Sequence, residues 1–355
     1  MITDHSISFI PLPIIMIGAG GIVHTAHLPA YRLAGYTVSG IFDLDKTKAR
    51  DAATAFSIPV VYETMKDVIG AVNSGSVVDL AVPAGAIPSI LEQLPDGTNV
   101  LMQKPMGDDL AMANQILEIV RRKKMLAAVN FQLRYAPGVL EAKKMIAEGK
   151  IGELVDVEVN INVYTPWHLW DFLFRSPRVE MLYHSIHYID LVRNLLGNPR
   201  TMYAKTTGHP LMKQLASVRS TIIMDHGEYK RATILTNHCH QFGNDQQHSY
   251  IKLEGTAGAI RIGLGVLQNY PHGVPDTFDY FLLSDNEEHW KKKTINGRWF
   301  PHAFIGSMEQ LMLAAAGKIS QPDNSVEDAI YTMACMEAAY HSSDSGGVWP
   351  ALSKK

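Results

Sequence analysis

The sequence predicts an α/β protein: a doubly wound parallel sheet in the first part of the chain, then a second domain. Three observations carry this. A short apolar run, Ile14 to Ile17, passes straight into glycines and a helical pattern. Further apolar strand patterns alternate with helical stretches as far as residue 131. At 355 residues the chain is long for one core, and 46 % hydrophobic residues against 19 % charged ones supply enough apolar surface for two.

Charge narrows the partner. Lys plus Arg number 32 against 35 Asp plus Glu, a formal net charge of -3, and no long run has one sign. Nothing here offers an electrostatic footprint for nucleic acid or an anionic membrane, and no apolar run approaches the ~20 residues that span a bilayer. The expected partner is a small molecule. Cys239 and Cys335 are the only cysteines, and no basic and apolar leader precedes the first strand, so a cytoplasmic protein without a structural disulfide is expected.

In "IPLPIIMIGAGGIVHTAHLPAY" the continuous apolar run reads as a buried parallel strand that turns tightly into a helix. Gly18 permits the turn, Gly20 lets the backbone approach a pyrophosphate, and the helix start offers free N–H groups to it. Val23 stands at the third fingerprint position, where Gly or Ala is usual. The second strand, "TVSGIFDLD", ends at Asp43, 20 residues after Val23, where an acid would bind the adenosine ribose hydroxyls. An acid there disfavours a 2′-phosphate, and Leu44 follows it. NAD is therefore expected, with Lys46 and Lys48 leaving NADP open. A βα turn whose acid merely caps a helix is the alternative.

Strands follow at "VVDLAVP" (77–83) and "TNVLMQKP" (98–105), with helical stretches near 62–74 and 86–94. An amphipathic helix over 109–124 and a strand over 125–131 close the unit. The domains expected are 1–129, binding the dinucleotide, and 130–355, binding substrate.

Several motifs occur in one order: the glycine turn, Asp43, "QKP" at 103–105, "NFQLRYAP" at 130–137, "EGKIGEL" at 148–154, "HYIDLVRNLLG" at 187–197 and "EGTAGAI" at 254–260. Together they resemble the glucose–fructose oxidoreductase, inositol dehydrogenase and MocA family, and the closing "QPDNSVEDAIYTMACMEAAYHSS" is similar to its last helix. The resemblance implies an N-terminal Rossmann domain and a C-terminal α/β domain on an open, mostly antiparallel sheet, often used to form dimers or tetramers. It also implies NAD(P)-dependent oxidation or reduction at a carbon of a sugar, polyol or sugar acid.

Residue by residue, Lys104 and Pro105 match the family's E-K-P motif, with Gln103 in place of the acid. An ammonium beside the carbinol oxygen would stabilise a developing alkoxide. The family's D-x-x-x-H-x-x-D puts its acid/base histidine at His187 and its last aspartate at Asp190, but Tyr183 stands where the first aspartate belongs. Tyr183 and His184 lie one helical turn from His187 and are candidates to share its proton. A metal reading would recruit His184, His187, His238 and His240, although their spacing is not diagnostic of zinc; no metal is expected. The expected cofactor contacts are Gly18, Gly20, Gly21, Ile22, Asp43, Pro83 and Lys104. For substrate, the resemblance implies Asn130, Arg134 and His187, at positions similar to those that face the substrate in the family, and Trp167, Trp170 and Asp171 are added because aromatic rings beside donors and carboxylates suit a carbohydrate. The segments 269–281 and 296–304 read as sheet edges and loops. Two further functions fit the same residues: glycoside cleavage with a tightly held nucleotide, and a non-enzymatic ligand sensor.

Overall fold

Ile14–Ile17 is buried at every position and forms β1, near the middle of a five-stranded parallel sheet. This is seen in a computed structural model, which describes residues 9–73, 75–285 and 288–347. The first and last eight residues of the two expected domains lie outside the described residues. On one side β1 pairs with β2 (Val38–Phe42) and on the other with β3 (Val77–Leu80), followed by β4 (Asn99–Met102) and β5 (Leu126–Val129). Val61 makes a parallel bridge to Ile41, a remnant strand outside β2. All connections are crossovers, and strand order reverses between β1 and β3, the position at which such sheets open a ligand crevice.

Register decides what reaches that crevice. Ile17 lies opposite Phe42 and Leu80, Leu80 opposite Met102, and Met102 opposite Val129. The residues that follow them, Gly18, Asp43, Ala81, Gln103 and Asn130, therefore share one carboxyl edge. Between the strands run helices α1 (Leu28–Ala34), α2 (Lys46–Phe56), α3 (Met65–Ala71), α4 (Ile87–Gln93) and α5 (Leu110–Arg122). Side-chain caps fix three of their starts: Asp45 on α2, Thr64 with Asp67 on α3, and Asp109 on α5.

Beyond α6 (Pro137–Ala147), β6 (Leu154–Asn162) is a central strand of an eight-stranded sheet. Its other strands are β7 (Thr201–Thr207), β8 (Arg219–Asp225), β9 (Arg231–Asn237), β10 (His248–Gly255), β11 (Gly258–Gly263), β12 (Thr277–Leu282) and β13 (Lys291–Lys292). Only the β6–β9 pairing is parallel. One face packs against α6, α7 (Ile186–Leu196) and α9 (Val326–Ser345). The opposite face carries exposed Tyr203, Ile223 and Leu235.

One expectation needs correction. The segment 296–304 is not wholly loop: α8 (Trp299–Ala315) begins there, bent at Phe300, whose backbone is non-helical. Pro301 obscures that start, since a proline reads as a break before it reads as an early helical position. Furthermore, α8 buries Phe304, Met308, Leu311 and Met312 against Ile14, Met16, Ile41, Val77 and Leu101. One face of the first sheet is thus completed by chain from far beyond residue 130.

Candidate active site

The turn after β1 is shaped by what cannot fit into it. Gly18 has φ +106°, and a Cβ there would meet the Ala81 carbonyl oxygen at 2.2 Å; only glycine tolerates both. Gly20 and Gly21, by contrast, look into open space, with no heavy atom within 4 Å of a Cβ built on either. Helix starts at residue 21 and widens into a π-turn over Val23–His27 before α1. Asp43 braces the turn: Oδ2 accepts the Ala19 amide at 2.7 Å and Oδ1 the Asp45 amide at 2.8 Å. Each oxygen keeps a free lone pair for a hydroxyl donor. Pro83 is exposed just after β3, and Ile22 is half-buried beside the turn. An open glycine cradle at a helix start with a carboxylate at the neighbouring strand end fits a dinucleotide.

Across the crevice stands Lys104, directly after β4 and joined to Pro105 by a cis peptide bond. Its Nζ donates to the Tyr183 carbonyl at 2.6 Å. Desolvation without a carboxylate partner lowers its pKa to about 7. His187, on the first turn of α7, is buried, and its ring meets Trp299 edge-on at 5.5 Å. Burial first, and then the charge of Lys104, drives its pKa well below the ordinary histidine value. The same holds for His184, where His238, Lys104 and His187 add to burial. Three basic groups from two domains therefore gather at the carboxyl edge of the first sheet. Tyr183 and His184 lie within a second π-turn, Met181–Ser185, that leads into α7, and burial followed by Asp108 pushes the Tyr183 hydroxyl up to about 12. Such turns recur at functional sites because they re-aim side chains without ending the helix.

Not every expected substrate contact reaches the crevice. Asn130 is fully buried, its Nδ2 3.5 Å from His27 Nε2, in a cluster where Asp79 also binds His27 Nδ1 at 2.7 Å. With no accessible surface it cannot touch a substrate. Arg134 is likewise withdrawn: Nε and Nη2 pair with Asp190, Nη2 also with Asp328, and Nη1 donates to the Asp323 carbonyl. Three of these contacts tie α7 and α9 to the chain leaving β5, so this arginine is a structural clamp. Trp167 is 3 % exposed and packs edge-on against His184 and His238 at 5.0 and 5.8 Å. It orients histidines and offers no open face to a sugar. Trp170 is half-buried against Tyr270, and Asp171 is exposed.

Three residues at the site escaped the sequence. Trp299 lay in the presumed loop. Glu180 sits in "RVEMLYHS" among Val179, Met181 and Leu182, an apolar setting that was itself a signal. His238 was weighed only as a metal ligand, and among the described residues no three His, Cys, Asp or Glu side chains are grouped to hold a metal. Cys239 and Cys335 are buried free thiols. Among the described residues no helix is long and apolar enough to cross a membrane.

Comparison with known proteins agrees with this architecture. Residues 12–131 match the oxidoreductase family with an NAD-binding Rossmann fold, and residues 143–350 match that family's C-terminal α/β domain. The oxidoreductase YteT of Bacillus subtilis is 28 % identical over 181 residues, 48 % of this chain and 42 % of YteT. The chain thus aligns with less than half the length of that relative. The D-apiose dehydrogenase of Paraburkholderia graminis is 22 % identical over 333 residues, 90 % of this chain and 84 % of the enzyme. A crystal structure of an Agrobacterium radiobacter oxidoreductase with NAD+, L-tartaric acid and magnesium superposes with a TM-score of 0.76 at 18 % identity, covering 94 % of this chain and 97 % of that one. With both halves matched in order, the chain belongs to the glucose–fructose oxidoreductase, inositol dehydrogenase and MocA family of oxidoreductases.

Proposed function

We propose that this protein is an NAD-dependent dehydrogenase or reductase of a sugar, polyol or sugar acid, with Lys104 and His187 as its catalytic pair. The observation that carries this reading is the meeting of a desolvated lysine with a buried and a half-buried histidine opposite an open glycine cradle. D-apiose dehydrogenase and the tartrate-bound neighbour support a polyhydroxylated substrate.

Bound at the glycine turn, the nicotinamide would supply the hydride acceptor or donor. The chain's own part is proton and charge management. His187, kept neutral by burial and by Lys104, is a base able to take the carbinol proton. Lys104 in its charged form stabilises the alkoxide that develops as this proton leaves. Tyr183, through its carbonyl, anchors the ammonium, and His184 adjoins both groups. Gly18, Gly20, Gly21, Ile22 and Pro83 would border the nucleotide, with Asp43 on the ribose. Lys46 donates to the Tyr62 and Glu63 carbonyls and lies 4.4 Å from the Phe42 ring, engagement that favours NAD over NADP. Trp170 and Asp171 stay as substrate contacts. The division of labour falls at residues 129 and 130.

The exposed apolar side chains on the outer face of the eight-stranded sheet support a homodimer or tetramer formed there. Two buried free thiols suit a reducing cytoplasm. The test is a fluorescence titration with NADH combined with turnover assays on variants. H187A and K104A should bind NADH within a few-fold of the parent yet lose roughly 10²–10⁴ in kcat. Absence of saturable NADH binding by the parent protein would refute the proposal.

A further inference from the structure

Glu180 is a carboxylate with no exposed surface, immediately before the π-turn that carries Tyr183 and His184. Such a group is costly to bury unless it has charged or hydrogen-bonding partners. Its Oε1 accepts from Ser185 Oγ at 2.8 Å and lies 3.5 Å from His238 Nε2, an approach and not a hydrogen bond, so that Oε2 and His238 Nε2 are both buried without a hydrogen-bond partner. His238, just past β9, is also fully buried, and its Nδ1 lies 2.9 Å from Thr165 Oγ1. The ring of His238 is 4.4 Å from that of His184, and Trp167 packs against both. A continuous line therefore runs from a buried anion through one imidazole to another that adjoins Lys104 and His187.

Nothing in the packing of the helix calls for the charge. A glutamine of the same shape would keep the hydrogen bond from Ser185, at no cost in buried charge. What the charge supplies is an anion in a site otherwise dominated by Lys104 and three histidines, where position 183 carries no acid. Burial raises the Glu180 pKa, but the adjoining His238 imidazole and the hydrogen bond from Ser185 outweigh it and leave the carboxyl below its ordinary range. Tyr188 and Tyr340 also border the carboxylate.

We propose that Glu180, acting through His238, is a positioning residue for His184: it fixes the His238 proton on Nε2 and offsets positive charge that reaches His184 from Lys104. In this way a carboxylate one turn earlier in the helix, together with a strand-end histidine, replaces the acid absent at 183. The proposal rests on the redox reading for its catalytic meaning, but its structural claim stands apart from it.

The test is long-range nitrogen–proton NMR of 15N-histidine-labelled protein, with His184 and His238 assigned from single His→Gln variants. In the parent protein His238 should appear as the Nε2–H tautomer. In E180Q that preference should be lost, the His184 signals should shift, and the His184 titration midpoint should fall, while E180D gives an intermediate result. With a turned-over substrate, E180Q should reduce kcat roughly tenfold with KM within twofold. His238 protonated on Nδ1 in the parent protein overturns the proposal even if neither variant folds. Unchanged His184 and His238 signals in folded E180Q also overturn it. Failure of the parent protein to bind NADH would instead strike the redox reading and leave the spectra to judge the relay.

Discussion

Lys104, proposed as half of the catalytic pair, is held in the fold at the expense of stability. In the unfolded chain it holds its proton to near 10.5, whereas in the folded protein desolvation lowers that value to about 7. Between these values the unfolded state binds more protons, so stability rises with pH across that window, and below about pH 7 the full penalty stands. K104M should therefore abolish turnover yet stabilise the fold, by a few kcal/mol near pH 6 and by no more than about 1 kcal/mol near pH 10. Urea denaturation at the two pH values measures this, and a destabilised K104M at pH 6 would contradict it. Asp43 carries a separate prediction: D43N keeps an acceptor for the Ala19 amide but loses the anion, so NAD affinity should fall about tenfold and discrimination against NADP should shrink. Parallel titrations with both nucleotides check it. Gly18, Asp43, Lys104 and His187 could be singled out as candidates because motifs fix them within short stretches. Arg134 and Asn130 misled because a sequence position beside a site does not say which way a buried side chain turns.

At the level of elements, strand interiors were easy to read and strand ends were not. The patterns at 77–83 and 98–105 contain β3 and β4, but the ladders stop at Leu80 and Met102, since the following residues leave the sheet to build the crevice. The π-turns are invisible to a 3.6-residue periodicity, which is why Glu180 went unnoticed as a partner of Ser185, five residues away. The turn after β1 makes the sharpest element prediction. G18A would place a Cβ 2.2 Å from the Ala81 oxygen in a conformation that L-residues rarely adopt. It should cost about 2–4 kcal/mol and weaken NADH binding at least tenfold, read by denaturant midpoint and fluorescence titration together.

The whole molecule is held together by connections that no local pattern announces. α8 closes the core of the first sheet from beyond residue 298, and the Arg134 network joins the chain after β5 to α7 and α9. Arg193 adds to this network through Asp328 and Thr332. Removing Arg134 strands the buried Asp190, so R134M should destabilise by about 3–5 kcal/mol. The doubly exchanged R134M/D190L protein should recover much of that loss, a coupling that thermal unfolding of the two proteins measures. Both devices join the two parts of the chain, the first carrying Lys104 and the second His187, so the proposed catalytic pair depends on that joint. The most direct test of that chemistry is isotope transfer: the protein is incubated with NAD+ and carbon-deuterated polyols and sugar acids, and the NADH formed is weighed by mass spectrometry. The account predicts NADH one mass unit heavy from at least one substrate and none from H187A. Absence of labelled NADH across the whole panel, from protein that binds the nucleotide, would contradict it.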